Sequence, residues 1–518
     1  MNSRIQNLTR LTTYANTSVV ILAITHYDTN VLILGKFQGN LDLGNTIVEK
    51  SNNPAIFLAS YNNSELDWFK KIAEVDSNTD TSGSLLIVGS DTYIGFEFEK
   101  YTILFDGTKI SNSINSQNCK TSNSNSTNCK TQNCKNQNSN STNCKTPISQ
   151  NSNSTKSVNS TKSYLVIALD NNLNKIYSFV SSGITDVHLT GYYVNSTRST
   201  TDYLVGRSAN SYVSSKFTSS DLILVANFNK KAVISNTTIT SEGHDFIIAK
   251  FNTYGVLTKL KQVDLGNAII TGVKIYNNKL VIVGNFLTSM SIDGLTLNED
   301  NNYVNSFWSR SNFNLDFLEL RSFESVNNNF NNHLKNSLTA NQLGPHLTVT
   351  DLEIDKNGNR YMTGRINGNY KFGSSYVKTT GDTLFLVKID RFDIFLFIKL
   401  IDYDFKLDRN ILNPNLVTDG THIYLSSPFH YTVRFVKPTM NDPLNQHEDI
   451  TITSDSSLPV FVVKYSSDGN LLWVETLSTT ELHKRKRLCC NNKNEVYVFG
   501  NSHLTSTKMT SYFARLLN

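Results

Sequence analysis

The chain carries none of the short signatures that mark a familiar chemistry. Its ten His residues form no H-E-x-x-H pair, and there is neither a Gly-x-Ser-x-Gly elbow nor a phosphate-cradling loop. No catalytic, cofactor-binding or metal-ligating residue is therefore assigned from sequence, and no cofactor is expected. Long apolar runs are missing too. Val19-Val20-Ile21-Leu22-Ala23-Ile24 is too short to cross a bilayer and too far from a basic start to read as a leader. The expectation is a soluble protein without signal peptide or transmembrane helix, intracellular or particle-associated. A net charge of +5 over 518 residues is small, so neither nucleic acid nor an anionic membrane is called for as a partner. Trp (3) and Pro (8) are scarce beside Tyr (23) and Phe (28).

What the chain does have is a recurring strand. Gly381-Asp382-Thr383-Leu384-Phe385-Leu386-Val387-Lys388-Ile389-Asp390 returns as Gly243-His244-Asp245-Phe246-Ile247-Ile248-Ala249-Lys250-Phe251. It returns again as Pro459-Val460-Phe461-Val462-Val463-Lys464-Tyr465 and as Pro54-Ala55-Ile56-Phe57-Leu58-Ala59-Ser60-Tyr61. A unit repeated at such intervals indicates a repeat architecture. Ahead of the motif lies a hairpin that ends on Gly, as in 352–364, 488–500 and 23–35, with a shorter-turned copy over 273–284. A bent segment follows each Gly (37–44, 286–297, 370–373), and a last strand such as Leu66–Ile72 or Leu471–Leu477 closes the unit.

Four antiparallel strands per repeat is the sequence form of a β-propeller blade, and about seven such units fit the chain. Their second strands are expected near Leu32, Leu86, Leu224, Ile282, Met362, Tyr424 and Val498. After Gly500 there is room for a third strand, Ser511 to Leu517, but not a fourth, whereas Arg4 to Leu11 precede the first unit as surplus. The two are expected to pair and close the ring. The fold class read from sequence is thus all-β, a single propeller over 1–518.

The Phe-x-Gly bends, the Phe-Gly pair, the Gly/Asp turn into Phe and aliphatics ending in Lys, and the Asp-Gly-x-Leu-x-Trp-like turns together resemble the bacterial β-propeller repeats known as SBBP repeats. Gly381, Asp382, Phe385, Val387 and Lys388 carry the resemblance, as do Gly243, Asp245, Phe246, Ala249 and Lys250. Gly and Asp are missing before Phe57 and Phe461, and Trp stands in its position only at Trp68 and Trp473. The resemblance implies the fold; propellers host many activities, so it implies no single function. No Gly-His…Trp-Asp repeat of the WD40 type is present, and 467–473 departs from the Asp-box of sialidases. The Asn-rich style resembles proteins of large AT-rich DNA viruses of amoebae, which implies a virion component.

An insertion at 111–163, within the second unit, is almost entirely Asn, Ser, Thr, Lys, Gln and Cys. Without apolar periodicity it cannot offset its ordering entropy, so a disordered rim loop is expected. Its flanks, 105–110 and 164–170, read as third and fourth elements of one blade. Cys119, Cys129, Cys134 and Cys144 lie in this loop without a Cys-x-x-Cys pair, which disfavours a zinc site. Cys489-Cys490 aligns with Glu353-Ile354 on an inner strand, where small buried residues are expected rather than a redox pair. Lys484-Arg485-Lys486-Arg487 reads as a solvated loop run, and Asp355-x-Asn357-x-Asn359 as an inter-strand turn rather than a calcium loop.

Rigid loops on a ring suit binding. The expected function is a non-catalytic scaffold or protein-interaction module with a protein partner. The alternative is a glycan-acting hydrolase or lyase with paired carboxylates in the central channel.

Overall fold

The computed structural model describes residues 5–516, apart from 112–162, 195–218, 326–345, 404–413, 437–449, 478–487 and the short stretches 28, 44–46, 63–64, 77–81, 89, 264–267, 288, 299–303, 430, 454–458, 491–494 and 506–507. Among the described residues every regular element is a strand, and the strands pair antiparallel. The four-stranded sheet Ile269–Tyr276, Lys279–Leu287, Val304–Asn312, Phe317–Ser322 shows the unit in its plainest form. His346–Ile354, Arg360–Phe372, Ser375–Ile389 and Phe395–Tyr403 form the next unit, and Asn415–Thr418, His422–Pro428, Val460–Ser466 and Leu471–Leu477 the one after.

Two long strands serve two units each. Lys175–Val194 ends one unit by pairing with Ser163–Leu169 and begins the following one by pairing with Ser219–Ile234. Ile5–Tyr27 opens a unit by pairing with Asn30–Asp42, while its first residues pair with Lys508–Leu516 (Ile5↔Leu516, Thr9↔Phe513, Leu11↔Ser511). That second pairing supplies the fourth strand to the C-terminal unit of Leu488–Cys490, Val496–Thr505 and Lys508–Leu516. The first strands also touch in order. Ile5–Tyr27 meets Gly83–Val88, then come Lys175–Val194, Ile269–Tyr276, His346–Ile354, Asn415–Thr418 and Leu488–Cys490, and the last meets Ile5–Tyr27 again.

The recurring apolar strand is continuous because both of its faces are buried, as in any sheet covered on both sides. Phe385, Val387 and Ile389 pack with Val281 and Trp308 of the preceding unit and with Leu352 of their own. The alternate residues Leu384 and Leu386 pack with Ile423, Leu425 and Phe461 of the following unit. Burying one such Leu or Phe stabilises by roughly 1.5–3 kcal/mol. The Gly that closes each hairpin has a steric cause. Gly35 sits opposite Phe57 and Gly284 opposite Phe307 in the register, and a Cβ on either would lie 2.3 or 2.7 Å from the facing ring. The ring lies over the bare backbone, so Gly there and Phe in the next strand are one feature.

Neighbouring units are stapled by amides. Asn227 donates to the Ile270 carbonyl at 3.2 Å and accepts from the Ile270 N–H at 2.8 Å. Asn285 does the same with Val349, at 3.0 and 2.8 Å, helped by the Ser306 hydroxyl. Both Asn side chains are buried, so each pairing answers a desolvation cost of about 1–3 kcal/mol per unmade bond.

Two sequence expectations need correction. Leu86 lies in Gly83–Val88, the first strand of its unit, and the second strand is Asp91–Phe98. Both strands are short and apolar at their centres, 85–88 and 93–96, so either fits the second-strand position. The flanks of the insertion also differ: Ser163–Leu169 is a third strand, paired to Asp91–Phe98, whereas Tyr101–Leu104 pairs outward onto Glu65–Val75 of the preceding unit. The insertion itself, 112–162 with its four cysteines, lies outside the described residues, as does Lys484-Arg485-Lys486-Arg487.

Candidate functional site: an arginine-lined cavity between two units

The site is built on a turn that the chain uses repeatedly. In Asp390-Arg391-Phe392-Asp393-Ile394 the Asp390 carboxylate accepts the N–H groups of Phe392 and Ile394, each at 2.8 Å. Asp170, Asn252, Asp355 and Ser466 each bond the N–H groups two and four residues on in the same way. The side-chain acceptor replaces a missing ladder partner, and the fourth residue takes positive φ, as in a hairpin loop ending in a bulge. Gly358 (φ 84°) fills that slot in one turn; in 390–394 it is Asp393, at φ 70°.

That Asp holds a network together. Its carboxylate accepts from Arg360 through one oxygen and from Arg310 through the other, the latter at 2.7 Å. Arg310 also bonds Glu319, which Arg321 shares. Arg360, the first residue of its strand, donates to the Asp390 carbonyl at 2.6 Å as well. Its side chain is only 3% exposed, and its Nη1 is buried without a partner. Burial pulls the Arg360 guanidinium below its ordinary pKa, with Asp393 opposing. Burial alone would raise the Asp393 carboxyl, but Arg360 and then Arg310 outweigh it and hold the acid below the usual carboxylate value.

A cavity of about 170 Å³ opens beside this network. Lys279, Arg310, Arg360 and Arg391 line it, with Tyr276 and Asn277 of the preceding unit's first turn, and its lining residues include no carboxylate. Gly358 forms part of the wall against the Tyr276 ring, which a Cβ would approach to 2.5 Å. The Arg391 guanidinium lies over the Phe392 ring, 4.7 Å from its centre.

The motif residues singled out from sequence lie elsewhere and are tied into structure. Lys388 is buried, sits 5.5 Å from the centre of the Tyr361 ring and donates to the Ser467 carbonyl of the next unit at 2.7 Å. Lys250 pairs with Asp221 at 3.2 Å. Asp382 stands 3.0 Å from His346 Nε2, and Asp245 accepts from Gln262 at 3.0 Å. Phe246, Ala249, Phe385 and Val387 are core; Gly243 and Gly381 have open space at their Cβ positions.

Both oxygens of Asp355 are taken by its own turn, one by Asn357 and Asn359 N–H, the other by the Asn359 amide and the Tyr361 hydroxyl. Cys489 and Cys490 are buried thiols, and burial pushes the Cys489 thiol up to about 12. Among the described residues, no group of three or more His, Cys, Asp or Glu is placed to hold a metal ion. No helix among them is long and apolar enough to cross a membrane. On the first strands, Lys274 and Glu353 of adjacent units pair at 2.8 Å.

Sequence reading missed Arg310, Arg360, Arg391 and Asp393. The one available signal was Asp393 standing where the turns 252–256, 355–359 and 466–470 carry Gly.

No protein-family model matches this chain, and no curated protein matches it. Among solved structures it is similar to the phage phi92 endosialidase, at 7% identity and a TM-score of 0.34, over 99% of this chain and 69% of that one. A likeness at that level carries no argument here.

Proposed function

We propose that the chain is a single β-propeller of about seven four-stranded blades, of the kind the SBBP-like repeats imply, and that it serves as a non-catalytic protein-interaction module. The cyclic contacts of the first strands and the pairing of Ile5–Leu11 with Ser511–Leu516 support the ring.

One observation carries the interaction role. The last strand of successive units is bulged just after its turn: the register skips from Lys175 to Tyr177, from Phe317 to Glu319, from Phe395 to Phe397 and from Leu471 to Trp473. A bulge re-aims the extra side chain. Here it turns Ile176, Leu318, Leu396 and Leu472 outward, 43%, 53%, 50% and 48% exposed. The equivalent residues Asp67 and Thr258 are polar, so the bulge itself does not require an aliphatic. Aliphatic side chains at one repeated rim position give a partner several equivalent apolar contacts, the central element of a protein interface.

The test is co-purification from the native source of the tagged wild type beside a Leu318→Asp, Leu396→Asp, Leu472→Asp variant. Exposed positions such as these change stability by about 0.5 kcal/mol or less each. Loss of a stoichiometric protein partner in a folded variant supports the reading; the same partner at the same stoichiometry contradicts it.

A further inference from the structure

We infer that the cavity between Lys279, Arg310, Arg360 and Arg391 is a binding site for an oxyanion, a carboxylate or a phosphate group presented by a ligand. Three observations converge. The lining brings together four cations from two units and no carboxylate. Asp393 and Glu319 occupy Arg310 from behind, and Asp393 and the Asp390 carbonyl occupy Arg360 Nη2, so the guanidiniums are fixed in orientation before any ligand arrives. Arg360 Nη1 is left buried with no acceptor.

A guanidinium presents a planar fork that fits two oxygens of one anion, and an orphaned buried donor has a cost of about 1–3 kcal/mol that an acceptor relieves. Asp393 and Glu319 offset the charge of Arg310 and Arg360, so the positive excess that concentrates counter-ions here comes from Lys279 and Arg391. A cavity of about 170 Å³ admits a carboxylate or phosphate head with its first carbons, not a whole cofactor. Lys279, exposed at the start of its strand, and Arg391, exposed on a turn, stand at the rim. They are the groups that would close on the anion from outside while Arg310 and Arg360 form the floor.

The test uses the full chain in calorimetric titrations with sodium phosphate and, separately, sodium acetate, each against sodium chloride at equal ionic strength. The expected result is saturable binding of at least one oxyanion that chloride does not reproduce. In the Lys279→Gln, Arg391→Gln double variant, affinity falls by about tenfold or more, a loss the size of one or two charge-assisted bonds. Lys371→Gln, which removes a distant cation paired with Glu324, leaves it unchanged. These positions are exposed, so the variants keep the fold; a matching thermal unfolding curve checks that. Tighter phosphate points to a phosphate ester as the natural ligand, tighter acetate to a carboxylate. Heats equal to those of chloride overturn the inference. So does a double variant that binds like wild type, or a Lys371→Gln variant weakened as much as the double one.

Discussion

The turns 390–394 and 466–470 share one backbone scheme and differ in what stands at its left-handed position. In both, the first side chain bonds the N–H groups two and four residues on, and the backbone closes the same pair of hydrogen bonds. At the left-handed position Gly469 has φ 81° and lies so close to the neighbouring strand that a Cβ would meet Lys399 at 2.8 Å and Phe397 at 3.0 Å. Asp393 occupies the same slot at φ 70° and spends the Cβ on a carboxylate between Arg310 and Arg360. Gly469 lets two units approach; Asp393 makes an ion network at the seam instead. Left-handed backbone at a non-Gly residue costs of order 1–3 kcal/mol and persists where surrounding contacts fix it. Leu173 and Leu315 hold the same slot in two further turns, so the scheme tolerates a side chain there, and Asp393 puts a charged one to use.

The largest break in that comparison is Asp393→Ala. It keeps the strained φ and strips the buried Arg360 of its main partner, so unfolding free energy should fall by about 3–5 kcal/mol in urea titration. A loss under about 1 kcal/mol would mean that the network contributes little, as exposed ion pairs do. Gly469→Ala comes next, at about 1–3 kcal/mol, from the strained φ and the crowding at Lys399. Asp393→Gly sharpens the contrast: it loses the same carboxylate but relaxes the backbone, and should stay about 1 kcal/mol more stable than Asp393→Ala.

The smallest effect is on pH dependence. Asp393 titrates below its unfolded value of about 3.9, so its contribution is complete above that pH and is lost as pH falls through the lower folded value. Acid unfolding followed by circular dichroism should therefore be less steep below about pH 4 in Asp393→Asn than in wild type.

Much of the scaffold was legible in the sequence because its features are local. A fully buried strand reads as Leu384-Phe385-Leu386-Val387 without alternation, and Gly364 with Phe385 marks two facing strands. The inner hairpin at Gly83–Phe98 was misplaced because both of its strands carry a similar apolar centre and either can be read as the second strand. The cavity was hidden for the opposite reason. Arg310 and Asp393 are 83 positions apart and on different units, and each cation alone reads as an ordinary surface residue. Asn227 and Asn285 follow the same hairpin-closing position, but in a chain so rich in Asn their recurrence does not stand out.

The ring itself is tested most directly by amide hydrogen exchange at the joined ends. Peptides covering 5–11 should exchange as slowly as those covering 508–516, since the two segments share a ladder. In a chain lacking residues 1–11, protection should drop across 508–516 and spread to its partner 496–505. Fast exchange over 5–11 in the intact chain, with 508–516 unaffected by the deletion, would contradict a ring closed by its own ends.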